Sequence, residues 1–263
     1  MTATEDSPAT GRALLESGAV VAGSMSRAAA TVVFPGSGAA PAVRLDDRLA
    51  GVLRAAAEES AAVPVPRERA RAGAVLAFAV EHSASLSRSG RRVRDDDFFT
   101  PRPGGRSPAG EVTEAVVASA RSSVEERRVR HLGYLLAEVA AAPDLDAALV
   151  DRALRLAADL SWRQLTLLAG VGRRDRLPLP MTPLPDEPRA WSAWGAREDV
   201  ADLQRAGLVD PPPAQPRPGG AALPRLRPAD LRLTRRGVLV HRLLALGFVR
   251  DDEVAAALAE LTS

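Results

Sequence analysis

Two stretches near the end of the chain decide how it is read: Leu203-Gln204-Arg205-Ala206-Gly207-Leu208-Val209 and Leu231-Arg232-Leu233-Thr234-Arg235-Arg236-Gly237. The first reads as a short helix from about Arg197 to Ala206, stopped by Gly207 and followed by a brief apolar piece. The second reads as another apolar piece running into a helix start, with Thr234 as N-cap and Leu233 placed to staple onto Val238. Gly237 stands where a full capping box would carry an acid or amide. The helix behind it carries Leu239, Val240, Leu243 and Leu244 and is expected to stop at Gly247. A Pro/Gly tract from Pro211 to Gly220 separates the two stretches, and two short apolar pieces flanking such a tip are what a β-wing requires.

The same start grammar appears upstream in complete form. Leu160-Ser161-Trp162-Arg163-Gln164-Leu165 pairs a capping box, Ser161 with Gln164, and a staple, Leu160 with Leu165, so a new helix must begin there. A Pro-rich loop, Leu177 to Pro188, separates it from the 197–206 helix, and a last helix is expected from Asp251 to Leu261. Trp162, Trp191 and Trp194 surround that loop, where they either cover a small helical core or offer an aromatic surface to a partner.

Further toward the N-terminus the spacing predicts helices throughout. Leu45, Leu49, Val52 and Leu53 recur at helical intervals behind Asp46 and Asp47, ending before Pro64, and a second helix runs from about Arg67 to Leu86. Ser87 to Gly105 reads as a polar surface loop, with Asp95-Asp96-Asp97 balanced by arginines and anchored by Phe98-Phe99. Ser107-Pro108 opens a helix with no breaker until Pro143, roughly 34 residues or about 50 Å, unless it bends near Ser122 and Ser123. Arg121 with Glu125 and Glu126 with Arg130 are set for i,i+4 pairs on it. The next helix starts near Asp144 or Asp146 and places Leu149, Leu156 and Leu160 on one side.

These elements define a mainly α protein: a small-residue-rich segment over 1–43, a helical part over 44–142, and a winged-helix-like part over 143–263 carrying a short β-wing. The stretch Gly18 to Phe34 is apolar, but about 17 residues is the lower limit for a span and Arg27 interrupts it. Packing against the protein's own helices is the expected role of 18–34 rather than membrane contact. Acidic first residues argue against a signal peptide, so a cytoplasmic location is expected.

Composition removes whole classes of chemistry. The 263 residues include no cysteine and no lysine; all 35 basic side chains are arginine, against 33 acids, for a net charge of +2. The high pI of about 10.1 only reflects how little titrates between His and Arg, and a global polyanion-binding footprint is not supported. Without cysteine there is no disulfide, thiolate metal site or Cys nucleophile, and without lysine no Walker A loop or kinase lysine. His82, His131 and His241 lack zinc-ligand spacing, and no Gly-x-Ser-x-Gly elbow occurs. No enzyme activity, metal or cofactor is expected.

The sequence resembles the L-x-x-x-G-L-I … L-T-x-x-G signature of MarR-like and PadR-like winged-helix regulators, through Leu203 to Val209 and Leu231 to Gly237. It also loosely resembles bacterial Abi-alpha abortive-infection proteins, through Leu160 to Leu168 followed by the same ending. The first resemblance implies that the helix before Gly207 would meet a DNA major groove. Glu198, Asp199 and Asp202 on that helix would be repelled by DNA, which favours a protein partner meeting Trp191, Trp194, Glu198, Asp199 and Asp202. The expected function is therefore a non-enzymatic interaction or regulatory protein, with phage defence as the setting the Abi-alpha resemblance implies. The alternative is a DNA-binding transcriptional regulator that touches the phosphate backbone through Arg217, Arg225, Arg227, Arg232, Arg235 and Arg236.

Overall fold

A computed structural model describes residues 45–184, 190–210 and 227–262. These residues are mainly helical and fall in two compact units divided between Arg155 and Leu156. The segment 1–43, with its 18–34 stretch, lies outside the described residues, as do Arg217, Arg225 and the wing tip.

In the first unit, α1 (Asp47–Ala61) begins where the Asp46 carboxylate accepts the Arg48 amide at 3.0 Å. The central helix α2 (Pro66–Arg88) opens on a proline, whose missing N–H costs nothing at that position, and is buried almost continuously from Arg71 to Ser83. The expected long helix is two: α3 (Pro108–Ser122), capped by Ser107, and α4 (Glu126–Ala140). The break has a local cause. Ser122 hydrogen-bonds back to the carbonyls of Ala118 and Ser119, while Ser123 is extended and its hydroxyl donates to the Glu125 carbonyl at 3.1 Å. The charged middle pairs across helices: Arg121 reaches Glu68 at 2.8 Å and Glu126 receives Arg71 at 2.9 Å.

α2 and α4 approach most closely at Gly133, where an added Cβ would lie 2.6 Å from the Phe78 Cβ. Leu53, Leu76, Leu132 and Leu135 fill the surrounding core. A buried polar chain crosses the same pair: His82 Nε2 donates to Glu138 at 2.8 Å and Arg91 donates to the other carboxylate oxygen at 2.7 Å. Burial alone would raise the Glu138 carboxyl, but these hydrogen bonds outweigh it and hold it below its ordinary value. Tyr134 stacks on His82 at 4.5 Å, meets His131 edge-on, and is pushed up to about 12 by burial and the neighbouring Glu81 carboxylate.

The polar loop after α2 is pinned by Arg94. Its guanidinium is buried, binds the Asp96 carboxylate and the Leu145 carbonyl, and covers the Phe98 ring at 4.4 Å. This contact ties 143–145 to the first unit, so the division falls later than residue 142. The helix α5 (Ala147–Ala158) runs through it. Its buried side is Val150, Ala153, Leu154 and Ala157, whereas Leu149 is exposed, one residue out of phase with the expected face.

The second unit contains α6 (Trp162–Gly172), α7 (Trp191–Arg205), α8 (Arg235–Leu243) and α9 (Asp251–Thr262). The Ser161 capping box forms in both directions, with Leu160 and Leu165 buried beside it. No strand forms among the described residues; Val209 and Leu233 make one antiparallel bridge. α8 ends at Leu243 rather than at Gly247, and Ala245 takes the left-handed turn, φ 46°. Val238, placed to meet Leu233 at this start, is 53% exposed.

Candidate functional site

The two decisive stretches meet in space. Gly207 adopts φ +66°, turning the chain out of α7. The Thr234 hydroxyl then donates to the Gly207 carbonyl at 2.6 Å, its amide to the Leu208 carbonyl at 3.1 Å, and Asp210 N–H to the Arg232 carbonyl at 2.8 Å. Thr234 also accepts the Gly237 amide at 3.0 Å, capping α8. A Cβ on Gly237 would collide with the Leu208 carbonyl, which explains why this helix start carries glycine at that position. The glycine pair and the Thr cap form one joint that ties the end of α7 to the start of α8.

That joint sets which face of α7 points outward. Ala193, Ala196, Val200 and Leu203 are buried, and Asp199 is buried with them. Asp199 binds the Arg163 guanidinium, which also reaches Glu260 of α9 at 3.2 Å, so one arginine clamps three helices. Asp202 accepts from Gln164 at 3.1 Å and pairs with Arg205. The expectation that Asp199 presents charge to a partner is therefore corrected: a buried carboxylate needs a cation, and Arg163 supplies it. Glu198 is exposed and the Asp202 side chain keeps 44% of its surface, so two of the three acids still reach solvent.

Trp191 and Trp194 also face solvent, 86% and 50% exposed, with their rings edge to face at 5.9 Å. They belong to α7, which starts six residues earlier than the sequence predicts. Their indoles crown the first turn of the helix that the resemblance would send into a groove.

The described arginines of the expected wing are mostly engaged within the unit. Arg227 pairs with Asp230 at 3.3 Å, Arg232 donates to the carbonyls of Ala229 and Leu231, and Arg236 donates to the Ala206 carbonyl at 2.9 Å. Arg235 is exposed and makes no ion pair with a described residue.

A polar pair that sequence spacing does not flag sits behind α8. Arg173, at the end of α6, binds Asp251 at 2.8 Å through Nη1, while its Nε and Nη2 are buried without a partner. His241 packs flat on Gly172, with Nε2 likewise buried and unpartnered. Burial and the Arg173 charge hold the imidazole below its ordinary value, keeping it neutral. The only advance sign would have been three separate residue types, His, Arg and Gly, 69 positions apart at their widest, which no local pattern links.

No group of His, Asp and Glu able to hold a metal is found among the described residues, and no described helix is long and apolar enough to cross a membrane. Comparison with protein families, characterised proteins and solved structures finds no match.

Proposed function

We propose that the chain is a non-enzymatic interaction or regulatory protein whose second unit, a winged-helix-like scaffold, docks a protein partner on the outer face of α7. The observation that carries this reading is the exposed indole pair, Trp191 and Trp194, beside the outward carboxylate of Glu198. Two indoles offer a large, rigid apolar area at low entropic cost, and tryptophan is the side chain most enriched where binding energy concentrates. A partner with an apolar patch next to positive charge fits this surface. The joint between Gly207 and Thr234, with the single bridge between Val209 and Leu233, supports the winged-helix part of the reading, because a wing would start from such a pairing. The phage-defence setting belongs to the same proposal and is tested by plating phage on cells that express the chain.

The second reading, a DNA-binding regulator, draws support from one feature: the inward turn of Asp199 onto Arg163 removes one of the three charges that would repel a duplex. Fluorescence anisotropy of a labelled duplex separates the readings. Under the first, binding stays negligible from 50 to 200 mM salt, on the scale where backbone readers lose ~10³-fold in affinity. Tight, salt-dependent binding that Arg235→Ala with Arg236→Ala abolishes, and that Trp191→Ala with Trp194→Ala leaves intact, would overturn it.

A further inference from the structure

The first unit contains a cavity of about 650 Å³, separate from the face of α7, between the start of α1, the last turns of α2, the segment from Gly90 to Val93, and α4. We infer that this cavity is a binding pocket for a small oxyanion, a carboxylate or phosphate, received by Ser83, Ser87, Arg91 and Arg92.

Ser83 is the pointer. It is 8% exposed, it lines the cavity, and its hydroxyl is buried with no hydrogen-bond partner. Helical hydroxyls ordinarily bond back one turn, as Thr113 does to the Ala109 carbonyl at 2.7 Å and Thr166 to the Trp162 carbonyl at 2.9 Å in this same chain. Leaving a buried hydroxyl unsatisfied is costly, and a ligand oxygen would relieve that cost.

Arg91 supplies a charge already fixed in place. The Glu138 carboxylate holds Nη1 at 2.7 Å and the Ala141 carbonyl holds Nη2 at 3.2 Å, while His82 steadies Glu138 from behind. Binding therefore need not freeze this side chain. Arg92 is its exposed neighbour on the rim, and Ser87 stands one turn beyond Ser83. The acids of the pocket are Asp46 and Asp95. Asp46 is taken by Arg48, at 3.2 Å to each carboxylate oxygen, and Asp95 is exposed. The volume suits a small metabolite.

Isothermal titration calorimetry of the full chain with sodium phosphate and with sodium citrate, against sodium chloride at matched ionic strength, tests the pocket. Saturable binding of phosphate or citrate is expected, weakened at least tenfold by Arg92→Ala and about fivefold by Ser83→Ala, and unchanged by Arg106→Ala, an arginine on a different groove of the unit. Ser83→Ala should also leave the free protein as stable or more so, since the orphaned hydroxyl is gone. A parallel flotation with phosphatidylglycerol or phosphatidylcholine vesicles separates a lipid headgroup from a free anion as the natural source. No heat beyond the chloride control for either anion overturns the inference, and so does binding that Ser83→Ala and Arg92→Ala leave intact or that Arg106→Ala weakens equally.

Discussion

Glycine positions show how sharply single residues are constrained. At Gly237 an added methyl would strike the Leu208 carbonyl, a backbone atom fixed on its other side by the Thr234 amide. At Gly51, inside α1, an added Cβ meets nothing within 4 Å. The two alanine substitutions should therefore act in opposite directions. Gly237→Ala should cost about 1–3 kcal/mol, as overpacking does, while Gly51→Ala should gain ~0.5–1 kcal/mol from lost chain entropy. Urea unfolding midpoints of the two variants against wild type measure both. A destabilised Gly51→Ala with an unaffected Gly237→Ala would show that the joint is not built as described.

Among the elements, the α2–α4 pair depends on one carboxylate. Glu138 is 6% exposed and receives both His82 and Arg91. Removing one member of such a network strands the others, so Glu138→Ala should cost ~3 kcal/mol, at the low end for buried pairs because Arg91 is about a third exposed. Chemical denaturation reads it, and a loss under 1 kcal/mol would mean the network contributes little. Local chemistry explains which elements were legible in advance. The caps at Ser107, Ser161 and Thr234 could be placed from neighbouring residues alone, because a cap is satisfied within four positions. The break after α3 could be suspected but not decided, since serine hydroxyls bond to a helix or end it according to what lies across from them. The partners of Arg121 and Glu126 lie over fifty positions away on α2, and only the fold brings them together. The face of α7 was misjudged for the same reason: nothing near Asp199 in sequence announces Arg163.

Over the whole molecule, the two units should respond differently to acid. Because the folded-state value of His241 is depressed, the unfolded chain binds the proton first, and stability must fall as pH drops below the ordinary value of 6.5. The contribution is fully present above that pH. Glu138 is also depressed, but from 4.5, so the first unit keeps its share until pH falls below that value. Hydrogen exchange at pH 7.5 and 5.5, corrected for intrinsic rates, should show α8 and the end of α6 losing protection while α2 and α4 keep theirs. His241→Asn should flatten the difference. Equal losses in both units would refute this ordering.

The close approach at Gly133 has a mechanical consequence. A Cβ at Gly133 would lie 2.5 Å from the Val75 carbonyl oxygen and 3.0 Å from the Ala79 nitrogen, so the helices leave no room between them at that point. Ser83 and Ala137 lie one turn beyond it on their respective helices, at the cavity wall. Gly133 is thus a fulcrum: whatever widens the far end must tilt one rod against the other there, and bulk added at this position would pry the pair apart along its whole length.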